Sequence, residues 1–270
     1  MYVPMTDRAC YFGDGIYEVT YCYNHRIFAL EEHVERLIVS AKALDINCDF
    51  DEEELMRLIK RMTDKVDGDK LSIYFQLSRG TGIRAHEYRE DMKSNLFMMI
   101  KETELRDMTK PIAVGLSEDK RHGYCGHKTL NLFANVMAFQ KAMKAGYSEV
   151  ILQKDNVVTE CAHSNVSILK EGTVYTPYAD GRIFDGIGRK HLLKACERLN
   201  VPWKYAYFDI DALYDADEII VTASGSLCID VNSIEGKKVC GKAQALLYEI
   251  RKNVVEEFNQ ETGSHIFVER

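Results

Sequence analysis

A chain of 270 residues, 46% hydrophobic and 29% charged, carries enough apolar material for one large or two modest packed cores. Its formal net charge of −7 argues against nucleic acid or an acidic membrane as the main partner. No apolar run approaches the roughly 20 residues of a spanning helix, so a cytoplasmic location is expected. The cysteines at 10, 22, 48, 125, 161, 196, 228 and 240 stand singly without Cys-x-x-Cys spacing. That spacing supports neither a zinc site nor a disulfide framework, and reduced thiols are expected.

Residues 3–23 read as short extended stretches around the turn Phe12-Gly13-Asp14-Gly15. Helical periodicity then predicts a helix over about 30–44, with Val34, Leu37, Ile38, Ala41 and Leu44 inward. A second helix is expected from about Asp51, with Leu55, Leu58, Ile59, Met62 and Val66 on one face. Residues 71–78 and 96–100 read as strands, the second so apolar that it should be buried. The charged segment before Pro111 reads as a linker, 104–110, between a small α/β domain at 1–103 and a larger domain at 111–270.

A strand at 112–116 opens the second half. The Lys128 region should start a helix with Leu132, Val136, Phe139 and Met143 as its stripe, stopped by Gly146. Asp155-Asn156 and Glu171-Gly172 mark hairpin turns. Gly186-Ile187-Gly188 leads into a helix over about 189–199, and 211–214 reads as one helical turn. A strand at 218–223 and a helix at 244–258 complete the chain.

Chemistry concentrates in two places. Lys128 lies in His127-Lys128-Thr129-Leu130-Asn131, and about thirty positions later Glu160 lies in an apolar hairpin. A lysine ahead of a helix and a hairpin acid are what a pyridoxal phosphate site needs: the amine bonds the cofactor aldehyde, and the carboxylate keeps the pyridine nitrogen protonated. Taken alone, a lysine at a helix start is usually a surface residue, and a lone strand glutamate usually faces water. The cofactor phosphate requires cationic charge and backbone donors. Arg36 offers a fork, the amides of Ile187 and Gly188 sit at a helix N-terminus, and Ser224 adds a hydroxyl. The bland alternative for Arg36 is a solvated helix face.

Six segments in order give the chain a resemblance to a known family. They are residues 7–18, 31–37, Lys128 to Asn131, Val158-Thr159-Glu160 with Ser164-Asn165, Gly186 to Arg189, and Ala216-Asp217-Glu218. Together they resemble the class IV (fold type IV) pyridoxal phosphate enzymes over nearly the whole chain. The resemblance implies an α/β (α+β) fold of two domains, a small N-terminal one and a larger C-terminal pseudo-barrel, with the cofactor between them. It also implies that Lys128 carries the cofactor and shuttles the proton, that Glu160 meets the pyridine nitrogen, and that Arg121 lies near Glu160. Phe184 stands where relatives place an aliphatic side chain against the cofactor ring, and Gly188 where they commonly have Thr or Ser. Cys125 and Cys161 are expected to line the pocket without acting as nucleophiles.

Within that family the run 78–86, ending Arg84-Ala85-His86, is most similar to the D-amino acid aminotransferases. The resemblance implies a carboxylate trap of Tyr17, Arg84 and His86, with the Arg-x-His loop entering a neighbouring subunit's site, and therefore a homodimer. The implied activity exchanges the amino group of D-alanine or D-glutamate with 2-oxoglutarate or pyruvate. An aminodeoxychorismate lyase and a branched-chain L-amino acid aminotransferase are the alternatives. The chain departs from the family in starting at Met1-Tyr2-Val3-Pro4, where relatives have a further strand, so a shortened sheet edge or a misplaced start is expected. Cys161, Ala162 and His163 after Glu160, and Gly225 with Asp230, also differ and bear on amino acid preference.

Overall fold

The computed structural model describes residues 3–266; of the expected shortened edge, Val3 and Pro4 form no strand, and Met1 and Tyr2 lie outside the described residues. The chain forms two compact units. The first contains Met1–Glu104, His127–Asn131 and Glu261–Ser264, and the second contains Leu105–Gly126, Leu132–Gln260 and His265–Arg270.

The first unit begins with a helix the pattern did not announce, α1 (Arg8–Phe12), too short for periodicity to register. Asp7 caps it by accepting from the Ala9 amide, and Gly13 ends it at φ 62°. The rest of the expected broken stretch is one continuous strand, β1 (Gly15–Tyr23). A tight turn through Asn24 and His25, both at positive φ, leads to β2 (Arg26–Ile27). Strand β1 pairs antiparallel along its full length with β3 (Lys70–Ser78), and β3 pairs with β4 (Asn95–Glu102), giving the order β2-β1-β3-β4. Helices α2 (Leu30–Ala43) and α3 (Glu52–Thr63) cover one face. Val34, Leu37, Ala41, Leu55 and Ile59 pack there with Ile16, Ile73 and Phe75. A reciprocal capping box between Asp51 and Glu54 fixes where α3 starts.

The expectation that residues 96–100 are buried is wrong. Strand β4 is the sheet edge and none of its positions is buried. Leu96, Met98 and Ile100 pack against the core, while Met99 on the opposite face is 54% exposed. An unbroken apolar run reports two apolar faces without telling whether both are covered.

The second unit is a nine-stranded mixed sheet. Its strands are β5 (Ile112–Glu118), β6 (Glu149–Lys154), β7 (Val157–Cys161), β8 (Asn165–Lys170), β9 (Thr173–Thr176), β10 (Trp203–Tyr205), β11 (Glu218–Thr222), β12 (Ile229–Ile234) and β13 (Lys237–Lys238). The order is β10-β9-β8-β11-β12-β5-β6-β7, with β13 against β12. Asp155 and Asn156 turn β6 into β7, and Glu171 and Gly172 turn β8 into β9, all four at positive φ as such hairpins require. Helix α4 (Phe133–Lys144) lies between the parallel strands β5 and β6. Helices α5 (Ile187–Arg198), α6 (Ile210–Asp215) and α7 (Gln244–Thr262) follow.

Two expectations about α4 fail. It begins at Phe133, so Lys128 does not open it but precedes it in an irregular segment. Its stripe is not buried either: Val136 and Met143 are exposed and only Ala142 is buried. Strands β10, β12 and β13 went unread, β12 because polar residues interrupt its alternation. Among the described residues no helix is long and apolar enough to cross a membrane.

Candidate active site

In the first unit the segment carrying Lys128 is an added edge on β1. The Tyr17 amide donates to the Lys128 carbonyl at 2.9 Å, and the Leu130 amide donates to the Gly15 carbonyl at 3.0 Å. Gly15 permits this approach, since a Cβ there would stand 2.9 Å from Leu130 Cδ1 and 2.7 Å from the Leu77 carbonyl oxygen. The Lys128 ammonium lies 4.5 Å from the centre of the Tyr17 ring, which in turn stacks on Tyr74 at 5.6 Å. The strand that turns Tyr17 to one face turns Glu18 to the other.

Glu18 organises a buried group on that other face. Arg36 in α2 grips its carboxylate with Nε and Nη2, both at 2.7 Å, and His33 Nδ1 lies 2.7 Å from Oε2. The Arg36 fork expected for a cofactor phosphate is therefore engaged with Glu18, and the side chain is largely buried rather than on a solvated face. Burial alone would raise the Glu18 carboxyl, but Arg36 and His33 bring it down to about 2. Burial pushes the His33 imidazole down, reinforced by Arg36 and Lys128 and opposed by Glu18. His33 is thus neutral, donating from Nδ1 to an acceptor-only carboxylate, and its Nε2 has no hydrogen-bond partner among the described residues.

These two shifts act on stability with one sign. A neutral His33 contributes stability that is lost as pH falls below about 6.5, and an ionised Glu18 contributes stability that is lost as pH falls from about 4.3 toward its folded value. Urea unfolding at a series of pH values should show stability declining through both windows. The Glu18→Gln variant should be less stable at neutral pH and flatter in the lower window, by roughly 3 kcal/mol as an order of magnitude. A lower-window slope equal to that of the parent protein would contradict the assignment.

Arg84 and His86 lie in an exposed loop of the same unit. The Arg84 guanidinium is 5.4 Å from the Phe12 ring centre, and the His86 ring is also 5.4 Å from it. Arg79, ahead of this loop in sequence, is not solvent-facing. It is buried, bonded to Asp14 and to the carbonyls of Leu44 and Asp45, with the Tyr88 ring 3.8 Å away.

In the second unit Glu160, on β7, is 5% exposed and held on both oxygens. Arg121 Nη1 donates to Oε1, Asn165 Nδ2 to Oε2 at 2.8 Å, and the Phe184 amide lies 3.1 Å from each. Arg121 is itself gripped by Asp119 through Nε and Nη2, and Thr159 donates to the same aspartate. Burial opposes the charge on Arg121, but Asp119 and Glu160 outweigh it and hold the guanidinium above its ordinary range. A hairpin glutamate fixed by an arginine, an amide and a backbone N–H is an oriented anion, not a solvated one. Asn165 stands in the motif without an assigned role, and Asp119 went unrecognised because only the fold brings it to Arg121.

Helix α5 begins without a side-chain cap at Gly186. Gly188 lies against the backbone of Ala223, where a Cβ would stand 3.1 Å from its nitrogen. A Thr or Ser at 188 would meet that backbone. The neighbouring Thr222 hydroxyl is buried with no partner among the described residues, and Ser224 sits half-buried in the turn after β11. The remaining departures resolve differently. Cys161 and Ala162 are core residues, and His163 is partly exposed 2.9 Å from Glu149. Asp230 is buried in an ion pair with Arg251 of α7 at 2.5 Å, so it braces the core. All eight cysteines are free, and among the described residues no group of three or more metal-ligating side chains gathers.

The family model for amino-transferase class IV matches residues 15–234. A D-alanine aminotransferase of Listeria monocytogenes is 31% identical over 271 residues, covering 98% of this chain and 94% of that one. Among solved structures, a hypothetical aminotransferase from Mycobacterium tuberculosis in its PLP-bound form superposes with a TM-score of 0.83 at 19% identity, over 95% of this chain and 94% of that one. A putative 4-amino-4-deoxychorismate lyase from Legionella pneumophila gives 0.86 at 20% identity, over 97% and 96%. At such identity the two structures bear on fold, which they share with this chain along nearly its whole length.

Proposed function

The chain belongs to the class IV amino-transferases and has their mixed α/β fold, and from that premise we propose that it uses pyridoxal phosphate to exchange the amino group of D-alanine or D-glutamate with 2-oxoglutarate or pyruvate. The observation that carries this reading is the Glu160 carboxylate, buried, ion-paired to Arg121 and fixed by Asn165 and the Phe184 amide. A carboxylate so held supports positive charge on a ring nitrogen. The donor set fits the phosphate as well, since the uncapped start of α5 offers the Ile187 and Gly188 amides and the orphaned Thr222 hydroxyl lies one residue before Ala223. Ser224 is the further hydroxyl assigned to it, with Arg36 contributing charge.

Bound pyridoxal phosphate supplies an aldehyde that takes the amino group and a ring that withdraws electrons from the substrate Cα. Lys128 would hold the cofactor through its aldehyde, and its free amine would move the proton to and from the substrate Cα as general base and acid. Glu160 keeps the ring nitrogen protonated, and Arg121 keeps Glu160 ionised and in place. Phe184 would pack against the cofactor ring, and Tyr17, Arg84 and His86 would bind the substrate carboxylate. The working unit is a homodimer, a reading supported by apolar side chains left uncovered in one chain, such as Phe133 at 78% exposure. Eight free thiols suit a reducing cytoplasm.

Pyruvate release separates transamination from the lyase chemistry of the same fold. With D-alanine, pyruvate beyond one equivalent per cofactor-loaded site should form only when a 2-oxo acid acceptor is present, one molecule for each acceptor aminated. Release of pyruvate from 4-amino-4-deoxychorismate without any acceptor would overturn the reading.

A further inference from the structure

Resting on the reading that Arg84 and His86 bind the substrate carboxylate, we propose that Arg8 is a positioning residue for substrate recognition, fixing the backbone that carries them. The loop around Arg84 is exposed and belongs to no strand. Its carbonyls are held instead by one guanidinium: Arg8 Nη1 donates to Ala85 O at 2.8 Å and Glu87 O at 3.4 Å, and Nη2 to His86 O at 3.3 Å. Arg8 is 4% exposed, and its Nε donates to Asp14 at 2.7 Å. Asp14 also accepts from Arg79, so its charge stays compensated whatever Arg8 does.

The helix that presents Arg8 is tied to the base of the same loop. The Arg8 amide donates to Gly80 O at 2.9 Å and the Gly82 amide to Thr6 O at 3.0 Å. Phe12, one turn on, brings its ring within 4.9 Å of Arg8 and 5.4 Å of both Arg84 and His86. Three carbonyls and a carboxylate around one residue suit a planar fork with five donors, whereas a lysine has three donors on a single nitrogen. The acceptors are backbone atoms, so Arg8 sets where the loop runs without touching substrate.

Arg8→Lys in the holoenzyme keeps the charge beside Asp14 and loses the fork. We expect KM for D-alanine and 2-oxoglutarate to rise about tenfold or more, the scale of one lost charge-assisted hydrogen bond, with kcat changed by less than about threefold. Amide hydrogen exchange at residues 84–88 should quicken about tenfold or more while β1 and β3 keep their protection. In an Arg84→Ala background, itself raised in KM, the same change should alter KM by a clearly smaller factor, because only His86 is left for Arg8 to position. Phe12→Leu removes the shared ring without a hydrogen bond and serves as a second variant, moving KM the same way by less.

If Arg84→Ala raises KM but Arg8→Lys leaves KM and loop exchange unaltered, the positioning role is overturned and the carboxylate reading stands. If Arg84→Ala leaves KM unaltered, the carboxylate reading falls and this inference with it. Faster exchange throughout β1 and β3 in Arg8→Lys would mark a general loss of structure and overturn the local role.

Discussion

Replacing Lys128 by alanine is expected to lower kcat by roughly 10²–10⁴-fold or more, the range for losing a positioned general acid and base, before counting the lost bond to the cofactor. Borohydride reduction of the parent protein should fix the cofactor to one lysine-containing peptide, that of Lys128, and the variant should retain none after denaturation. Label on another lysine would remove Lys128 from the role. The local structure explains why this lysine is fit for it: the backbone bond from the Tyr17 amide fixes its main chain and the Tyr17 ring stands 4.5 Å beneath its ammonium. The same variant tests assembly. Mixed with Arg84→Ala, it should regain part of the activity through hybrid dimers with one intact site, and no recovery after confirmed subunit exchange would place the loop's action within its own chain.

Glu160→Gln is the second large effect. An amide keeps the size of the side chain but not the charge, and it leaves Arg121 facing Asp119 alone. Turnover should fall at least ~10²-fold, as when one preorganised electrostatic partner is removed, while cofactor is still bound. Near-normal turnover would reverse the assignment. Because Asn165 and the Phe184 amide remain as donors, the substituted amide can accept but no longer neutralise, and the loss should appear in kcat more than in KM.

Those two residues were legible in the sequence because each stands in a short motif, and the helices α2 and α3 were legible because their apolar positions keep a 3.6-residue period. The turn pairs Asp155-Asn156 and Glu171-Gly172 were legible because hairpins need positive φ. What escaped depends on tertiary neighbours. The apolar pattern of β4 and α4 predicts burial, yet Met99 at 54% and Val136 at 57% exposure stay largely open to solvent. Glu18 and His33 appear in the motifs, but only the packing of α2 on β1 shows that they meet Arg36 and that its fork is engaged there. Likewise Thr222 closes an ordinary strand, and its hydroxyl matters only because burial leaves it unpartnered. Arg8 reads as one more basic residue until the fold brings three loop carbonyls to it.

The central claim is the handedness of the transfer. If Lys128 is the proton carrier, it can serve only one face of the substrate Cα, so the enantiomer formed follows from which pocket takes the carboxylate and which takes the side chain. With Tyr17, Arg84 and His86 holding the carboxylate, 2-oxoglutarate aminated at the expense of D-alanine must give D-glutamate. Chiral analysis of that product is the most direct measurement: the account predicts D-glutamate in large excess, and predominantly L-glutamate would contradict it.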